Sequence, residues 1–322
     1  MRLPAFAALA LAACGQAPGG EPARHHPAIV SLNPCSDAVL AEVAEPAQIV
    51  ALSSYSRNPA SSSMDVAVAR RFPAVSDSAE EVLALAPDIV IAGSFLPPAT
   101  VAALGRTGVR LVQIPIATSV SESEAQVRAI ARIAGRQERG EALVGQIEAA
   151  LVEAAPRPGA RPIAAVVWQS GGLVPGNATL IADLLRRTGF ASFSGARGMK
   201  QADYLPLETM LADPPQVILA AGNGRSQEDR LLRHPALAGL AGTRRERLEP
   251  SLLWCGGPTI IRAAARLAEV RRTMGQVGAR ASTSSARAGV GFDYQLPLSL
   301  IARRLPLSLS LSKATRNASP TL

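Results

Sequence analysis

Few residues of this chain can do chemistry: three cysteines, three histidines and eleven aromatics in 322 residues. His25 and His26 sit in a Pro/Gly-rich stretch and His234 opens a helical segment, so the three or four His/Asp/Glu ligands of a zinc or manganese site are not assembled. No G-x-S-x-G elbow, Walker loop, H-E-x-x-H pair or dinucleotide fingerprint is present, and Gly222-Asn223-Gly224 is too short to stand for one. A nucleophilic Cys35 would need a histidine partner, and none is placed for it. The expectation is therefore a protein with no catalytic residue, no resident metal and no cofactor. What remains is non-covalent capture by aromatic faces, backbone-rich loops and a few cations.

The elements that would position such groups alternate. Strands are expected at 28–32, 48–52, 89–92 and 109–114, with helices at 36–44, 62–71, 79–86 and 100–106 between them. Residues 121–155 are rich in Ala, Glu, Arg and Leu without proline, and read as two helices, the second and longer at about 137–155. A second α/β set follows, with strands at 162–168, 216–221 and 247–249 and helices at 179–188, 207–212, 227–241 and 258–273. The fold class is α/β: two Rossmann-like lobes with parallel sheets joined by one long α-helix.

A duplication supports the two-lobe reading. SAEEVLALAPDIVIAG (78–93) and LPLETMLADPPQVILAAG (205–222) share a grammar at a constant offset of 128 positions, pairing Glu80 with Glu208, Leu83 with Leu211 and Pro87 with Pro215. In open parallel sheets, ligands meet the loops at the carboxyl ends of the strands. Those loops are 32–37, 53–59, 93–98, 169–178 and 222–225, completed by 196–204 and 251–258. Asn33, Cys35, Tyr55, Arg57, Phe95, Tyr204, Trp254 and Cys255 fall in them and are the candidate ligand contacts, whereas Phe193 and Trp168 read as core. Cys35 and Cys255, one per lobe, leave three outcomes open: a disulfide across the cleft, two separate thiols, or a soft ligand for a bound metal centre.

The net charge of +8 invites a nucleic-acid reading, but residues 276–322 carry six basic residues against Asp293 alone, leaving the body nearly neutral. No nucleic-acid partner is expected. The start, MRLPAFAALALAAC, has the anatomy of an export signal, and Leu11-Ala12-Ala13-Cys14 resembles a bacterial lipoprotein box with Cys14 as the lipidated residue. The expected organisation is a signal peptide (1–14), a tether (15–26), an N-terminal lobe (27–118), a helical connector (119–158), a C-terminal lobe (159–275) and a disordered tail (276–322).

IVSLNPCSDAVLAEV, the IVALSSYSRNP turn, EEVLALAPDIVIAG and LLWCGGPTIIRAAARLAE together resemble the helical-backbone class of ABC-importer substrate-binding proteins, the group that captures vitamin B12 and ferric siderophores. The resemblance covers roughly residues 27–273 and implies a monomeric, lipid-anchored periplasmic protein that delivers its ligand to a permease and ATPase complex. Its SSYS turn looks most like the cobalamin-binding members, where the tyrosine of that turn, here Tyr55, faces the corrinoid. The implied ligand is cobalamin or a related corrinoid, with a ferric siderophore or haem as the alternative; Arg57, Arg197, Lys200 and Arg225 are the cations an anionic ligand would use. The resemblance also makes Glu80 and Glu208 the carboxylates offered, one per lobe, to arginines of the permease.

Overall fold

In a computed structural model, residues 26–222, 235, 239, 240 and 242–287 are described. Cys14, the tether through His25, Arg225, His234, most of the helix expected at 227–241 and the tail past Arg287 lie outside them. The chain divides into one unit over Met1–Gln276 and another over Val277–Leu322, and both lobes belong to the first.

In the first lobe, β1 (Ile29–Ser31), α1 (Pro34–Val43), β2 (Ile49–Ser53), α2 (Val66–Ala69), β3 (Ala74–Val75), α3 (Ala79–Ala84), β4 (Ile89–Gly93), α4 (Pro98–Gly105) and β5 (Arg110–Ile114) follow one another. They form a five-stranded sheet in the order β3-β2-β1-β4-β5. Every pairing in it is parallel. Helices then cover both faces, so the central strands are buried throughout: Ile29–Ser31 and Ile89–Ala92 are short β-branched runs with no exposed residue. α5 (Val120–Ile133) and α6 (Gln137–Ala154) lead to the second lobe. Its elements are β6 (Ile163–Gln169), β7 (Leu173–Pro175), α7 (Leu180–Arg187), β8 (Phe190–Ser192), β9 (Ala202–Tyr204), α8 (Leu207–Ala212), β10 (Val217–Ala221), β11 (Arg244–Arg247) and α9 (Thr259–Arg287). Four of these strands make a parallel sheet, β11-β10-β6-β8, and β7 pairs antiparallel with β9.

The repeated grammar is repeated structure. Glu80 lies in the first turn of α3 and Glu208 in that of α8, both exposed, and each short helix is followed by a central strand of its sheet. α6 runs beneath both lobes. At its start Arg139 pairs with Glu45 at 2.7 Å and donates to the Ala44 carbonyl at 3.2 Å, at the end of α1. At its end the Ala154 carbonyl accepts from Arg271 at 2.8 Å, and the same guanidinium nitrogen reaches the Thr188 carbonyl at 2.6 Å. Eighteen helical residues span about 27 Å at ~1.5 Å each, the reach needed to pass under one sheet and arrive under the next. One apolar core continues through the junction, from Ile29, Leu40 and Ile91 through Ile147 to Val167, Leu219 and Leu267.

Several local expectations are corrected. α1 is capped by Asn33, whose side chain accepts from the Cys35 N–H, with Pro34 opening the helix; Ser36-Asp37 lies inside it. α2 begins only at Val66 because Asp65 caps it, accepting from the Ala67 N–H at 2.7 Å. β11 lies at 244–247 rather than 247–249, and β3, β8 and the antiparallel β7–β9 pair are additions. α9 continues past Gly275 to Arg287, since no proline stops it.

Candidate ligand cleft

The carboxyl ends of both sheets face a common hollow of about 400 Å³. From the first lobe, Asn33 and Cys35 follow β1, Gly93-Ser94-Phe95 follow β4, and Ile114–Thr118 follow β5. From the second, Gln169 ends β6, Gln201 and Ala202 come from the start of β9, and Leu253–Gly257 precede α9. Ser123, Gln126 and Ile130, spaced three and four apart on α5, form the floor between them. The loop before α9 touches this floor: the Gly257 N–H donates to Ser123 Oγ at 2.7 Å, and a Cβ on Gly256 would stand 2.2 Å from that oxygen. Gly256 and Gly257 are thus required by close approach, and Gly257 also holds a φ of 58°.

Cys35 and Cys255 form a disulfide, with Cα atoms 5.1 Å apart at a sequence separation of 220. That decides the question left open above: the two are neither free thiols nor metal ligands in this state. Among the described residues no group of three or more His, Cys, Asp and Glu gathers as a metal site, and no helix is long and apolar enough to cross a membrane.

The wall has a consistent chemistry. None of its described residues is Asp, Glu, Lys, Arg or His. Four carboxamides (Asn33, Gln126, Gln169, Gln201) supply its largest polar groups, and Ile114, Ile116, Phe95, Leu180, Leu253 and Trp254 its apolar surface. Phe95, Ile116 and Trp254 are large apolar side chains left 84%, 66% and 48% exposed here, where an apolar face can cover them. Gln126 was not legible as a ligand contact from sequence; its only signal is the i, i+3, i+7 face that α5 turns to the hollow.

Of the expected contacts, Asn33, Cys35, Phe95, Trp254 and Cys255 line the hollow, and Tyr55, Arg57 and Tyr204 do not. Tyr55 stands on a one-turn helix after β2, half exposed, at the same sheet edge as the lining loops. Arg57 is turned away: its guanidinium donates to the Phe72 carbonyl at 2.6 Å. Tyr204 lies two residues beyond the lining Ala202, exposed at the end of β9. Arg197 is occupied too, paired with Asp213 and seated 3.4 Å over the Phe193 ring. Trp168 and Phe193 are core residues, packed with Val166, Val174 and Met210.

Behind the Tyr55 turn lies a buried acid that sequence reading missed. Asp37 Oδ2 accepts from the Ser53 N–H at 3.0 Å and from Ser56 Oγ at 2.6 Å, tying the turn to α1, while Oδ1 has no partner. Burial pushes its pKa from the ordinary 3.8 up to about 8, against the opposing pull of the Ser31 and Ser56 hydroxyls and the Ser53 N–H. Two further carboxylates hold elements in place. Asp88 accepts from the Ala28 N–H at the head of β1 at 2.7 Å, and Glu246 joins Arg244 and Arg266 at 2.8 and 3.3 Å.

Two parallel sheets, a spanning helix and a hollow at the strands' carboxyl ends make a solute-binding architecture. A sequence profile described as periplasmic binding protein matches residues 29–248, more than half of the chain. The chain belongs to the periplasmic binding protein family. The family is one of non-enzymatic solute binders that work in the periplasm with an ABC-transporter permease and ATPase. Solved structures agree in fold. The periplasmic haem-binding protein RhuT from Roseiflexus sp. RS-1 is 22% identical with a TM-score of 0.61, over 76% of this chain and 97% of that one. The haem-binding protein HutB of Vibrio cholerae is 19% identical with a TM-score of 0.62, over 75% and 97%. The vitamin B12-binding protein BtuF of Vibrio cholerae is 16% identical with a TM-score of 0.59, over 76% and 96%. No curated protein sequence matches the chain.

Proposed function

We propose that this periplasmic binding protein captures cobalamin or a related corrinoid between its lobes and delivers it unaltered to an importer. The observation that carries the ligand class is the chemistry of the described wall: four carboxamides and exposed apolar faces, with no cation among the described residues that line it. A corrinoid is a broad ring with a fringe of neutral amides, which pair with Asn33, Gln126, Gln169 and Gln201 while Trp254, Phe95 and Ile116 cover its faces. The alternative ligands of this fold fit less well. An anionic ferric siderophore would meet no cation among the described wall residues, and Arg57 and Arg197 are already engaged. Haem would bring two carboxylates and would find no His, Tyr or Met there as an axial ligand. A hollow of about 400 Å³ encloses only part of a corrinoid, so the remainder projects toward Tyr55 and Tyr204 at its margins.

In this reading the protein acts as a monomer without turnover, held to the membrane by lipidated Cys14. Glu80 and Glu208, one exposed carboxylate per lobe on equivalent helices, dock on the permease. Calorimetry with cyanocobalamin, cobinamide, haem and a ferric catecholate tests the ligand class. Trp254→Ala should weaken corrinoid binding about 30-fold, equivalent to ~2 kcal/mol for a buried aromatic anchor. An unchanged affinity would remove Trp254 from the site.

A further inference from the structure

Besides their shared apolar core and hydrogen bonds such as that from Ser63 Oγ to the Ser251 carbonyl at 2.6 Å, two covalent ties join the lobes. One is α6, anchored beneath both sheets by Arg139 and Arg271. The other is the Cys35–Cys255 disulfide, which links the opening turn of α1 to the loop before α9 inside the wall of the hollow. Two bodies joined at one place can bend and twist about it in any direction. A second covalent tie leaves, as the large motion, rotation about the line through both. The surroundings of the bridge are also closely fitted. Gly257 lies on α1, where an added Cβ would meet Val39 at 2.7 Å, and its N–H is held by Ser123 of α5.

The bridge also carries wall residues on both sides. Asn33 Oδ1 accepts from the Cys35 N–H at 3.0 Å, so the amide of the first lobe is oriented by a bridging residue. Trp254, the aromatic that the second lobe gives to the wall, is the neighbour of Cys255 in the chain.

We infer that the Cys35–Cys255 disulfide sets the width of the ligand cavity, so that the oxidised protein holds a preformed site and the reduced protein does not. A preformed site avoids the ordering cost of closure. Once the bridge opens, only the fraction of molecules with the lobes still in register binds, and the apparent affinity falls by that fraction. Asn33 and Trp254 lose their fixed separation in the same event. Capture is thereby confined to an oxidising compartment, where such bridges persist.

Reduction by a water-soluble phosphine opens the bridge: the S–S bond breaks, each sulfur gains a proton from water, and phosphorus is oxidised to the phosphine oxide. Two reporters of the junction are backbone amides, the Gly257 N–H on Ser123 Oγ at 2.7 Å and the Val120 N–H on Asp183 Oδ2 at 2.9 Å. Hydrogen exchange of the ligand-free protein should quicken at both by about tenfold or more on reduction, while β1 and β10 keep their protection. Diamide should restore the slow exchange in wild type and leave Cys35→Ser/Cys255→Ser fast. Cyanocobalamin affinity should fall about tenfold in the reduced and double-Ser forms, mainly through slower association, because fewer molecules hold the lobes in register. This binding arm rests on the corrinoid reading, whereas the exchange arm does not. Failure of the oxidised protein to bind any corrinoid removes that reading and leaves the bridge to be judged on exchange alone. Unchanged protection at Gly257 and Val120 in fully reduced protein with native circular dichroism overturns the inference. Should the double-Ser variant not fold, reduction of folded wild type supplies the same comparison.

Discussion

Replacing Asp37 with Asn should abolish a pH dependence of stability that the wild-type protein carries. The carboxyl is fully buried in α1 and its pKa is pushed up from 3.8 to about 8, chiefly by burial. In the unfolded chain the group ionises near its ordinary value, so between there and about pH 8 the native state holds a proton that the unfolded state has released. The contribution to stability is therefore full below about pH 3.8 and is lost as pH rises through about 8. The slope is at most about 1.4 kcal/mol per pH unit, so roughly 2–3 kcal/mol is at stake between pH 5 and pH 7. Asn has no proton to lose, and its side-chain oxygen can still accept from the Ser53 N–H and Ser56 Oγ. Urea unfolding of both proteins at pH 5, 6, 7 and 8 isolates the effect, because the difference between them cancels the other titrating groups. Stability of Asp37→Asn relative to wild type should grow with pH across this range. A difference that is flat, or that shrinks as pH rises, refutes the reasoning.

The remaining predictions concern the junction and the docking face. Asp183, 5% exposed in its side chain, holds the Val120 N–H at 2.9 Å and pairs with Arg186 and Arg187 at 2.5 and 3.1 Å. Asp183→Ala should cost about 1–3 kcal/mol in urea unfolding, since it strips the buried Val120 N–H of its acceptor while the two exposed arginines are rehydrated. Gly256→Ala would set a Cβ 2.2 Å from Ser123 Oγ, force the wall loop off α5 and weaken ligand binding about tenfold in a titration. Glu80→Lys/Glu208→Lys should leave ligand affinity unchanged and abolish uptake in a reconstituted importer assay, because both carboxylates are exposed and remote from the hollow's wall.

The parts of the fold legible in sequence are those whose physics is local. The buried strands Ile89–Gly93 and Val217–Ala221 are β-branched runs, each set off by a proline from a short helix opened by Glu80 or Glu208, and the repetition exposes the second lobe. The long reach of α6 shows as a proline-free stretch. What escaped depends on contacts distant in sequence. β7 and β9 are three residues each and exist only by pairing with each other, and β11 is an arginine-rich edge strand with no apolar alternation. Gln126 belongs to the site because α5 happens to floor the hollow, and Asp37 is buried because the Tyr55 turn folds over it. The Cys35–Cys255 pairing spans 220 residues, a separation at which spacing says nothing. Tyr55, Arg57 and Tyr204 occupy loops at the edges of the cleft, yet side-chain direction keeps them off its enclosed wall.

A cavity whose described wall carries no charge should select an amide-fringed ring over anionic ligands. Equilibrium dialysis of the oxidised protein against an equimolar mixture of cobinamide, haem and a ferric catecholate tests this most directly. Retention of cobinamide at one per protein, with the two anionic ligands recovered outside, is the predicted result. Retention of haem or the ferric complex while cobinamide escapes would contradict it.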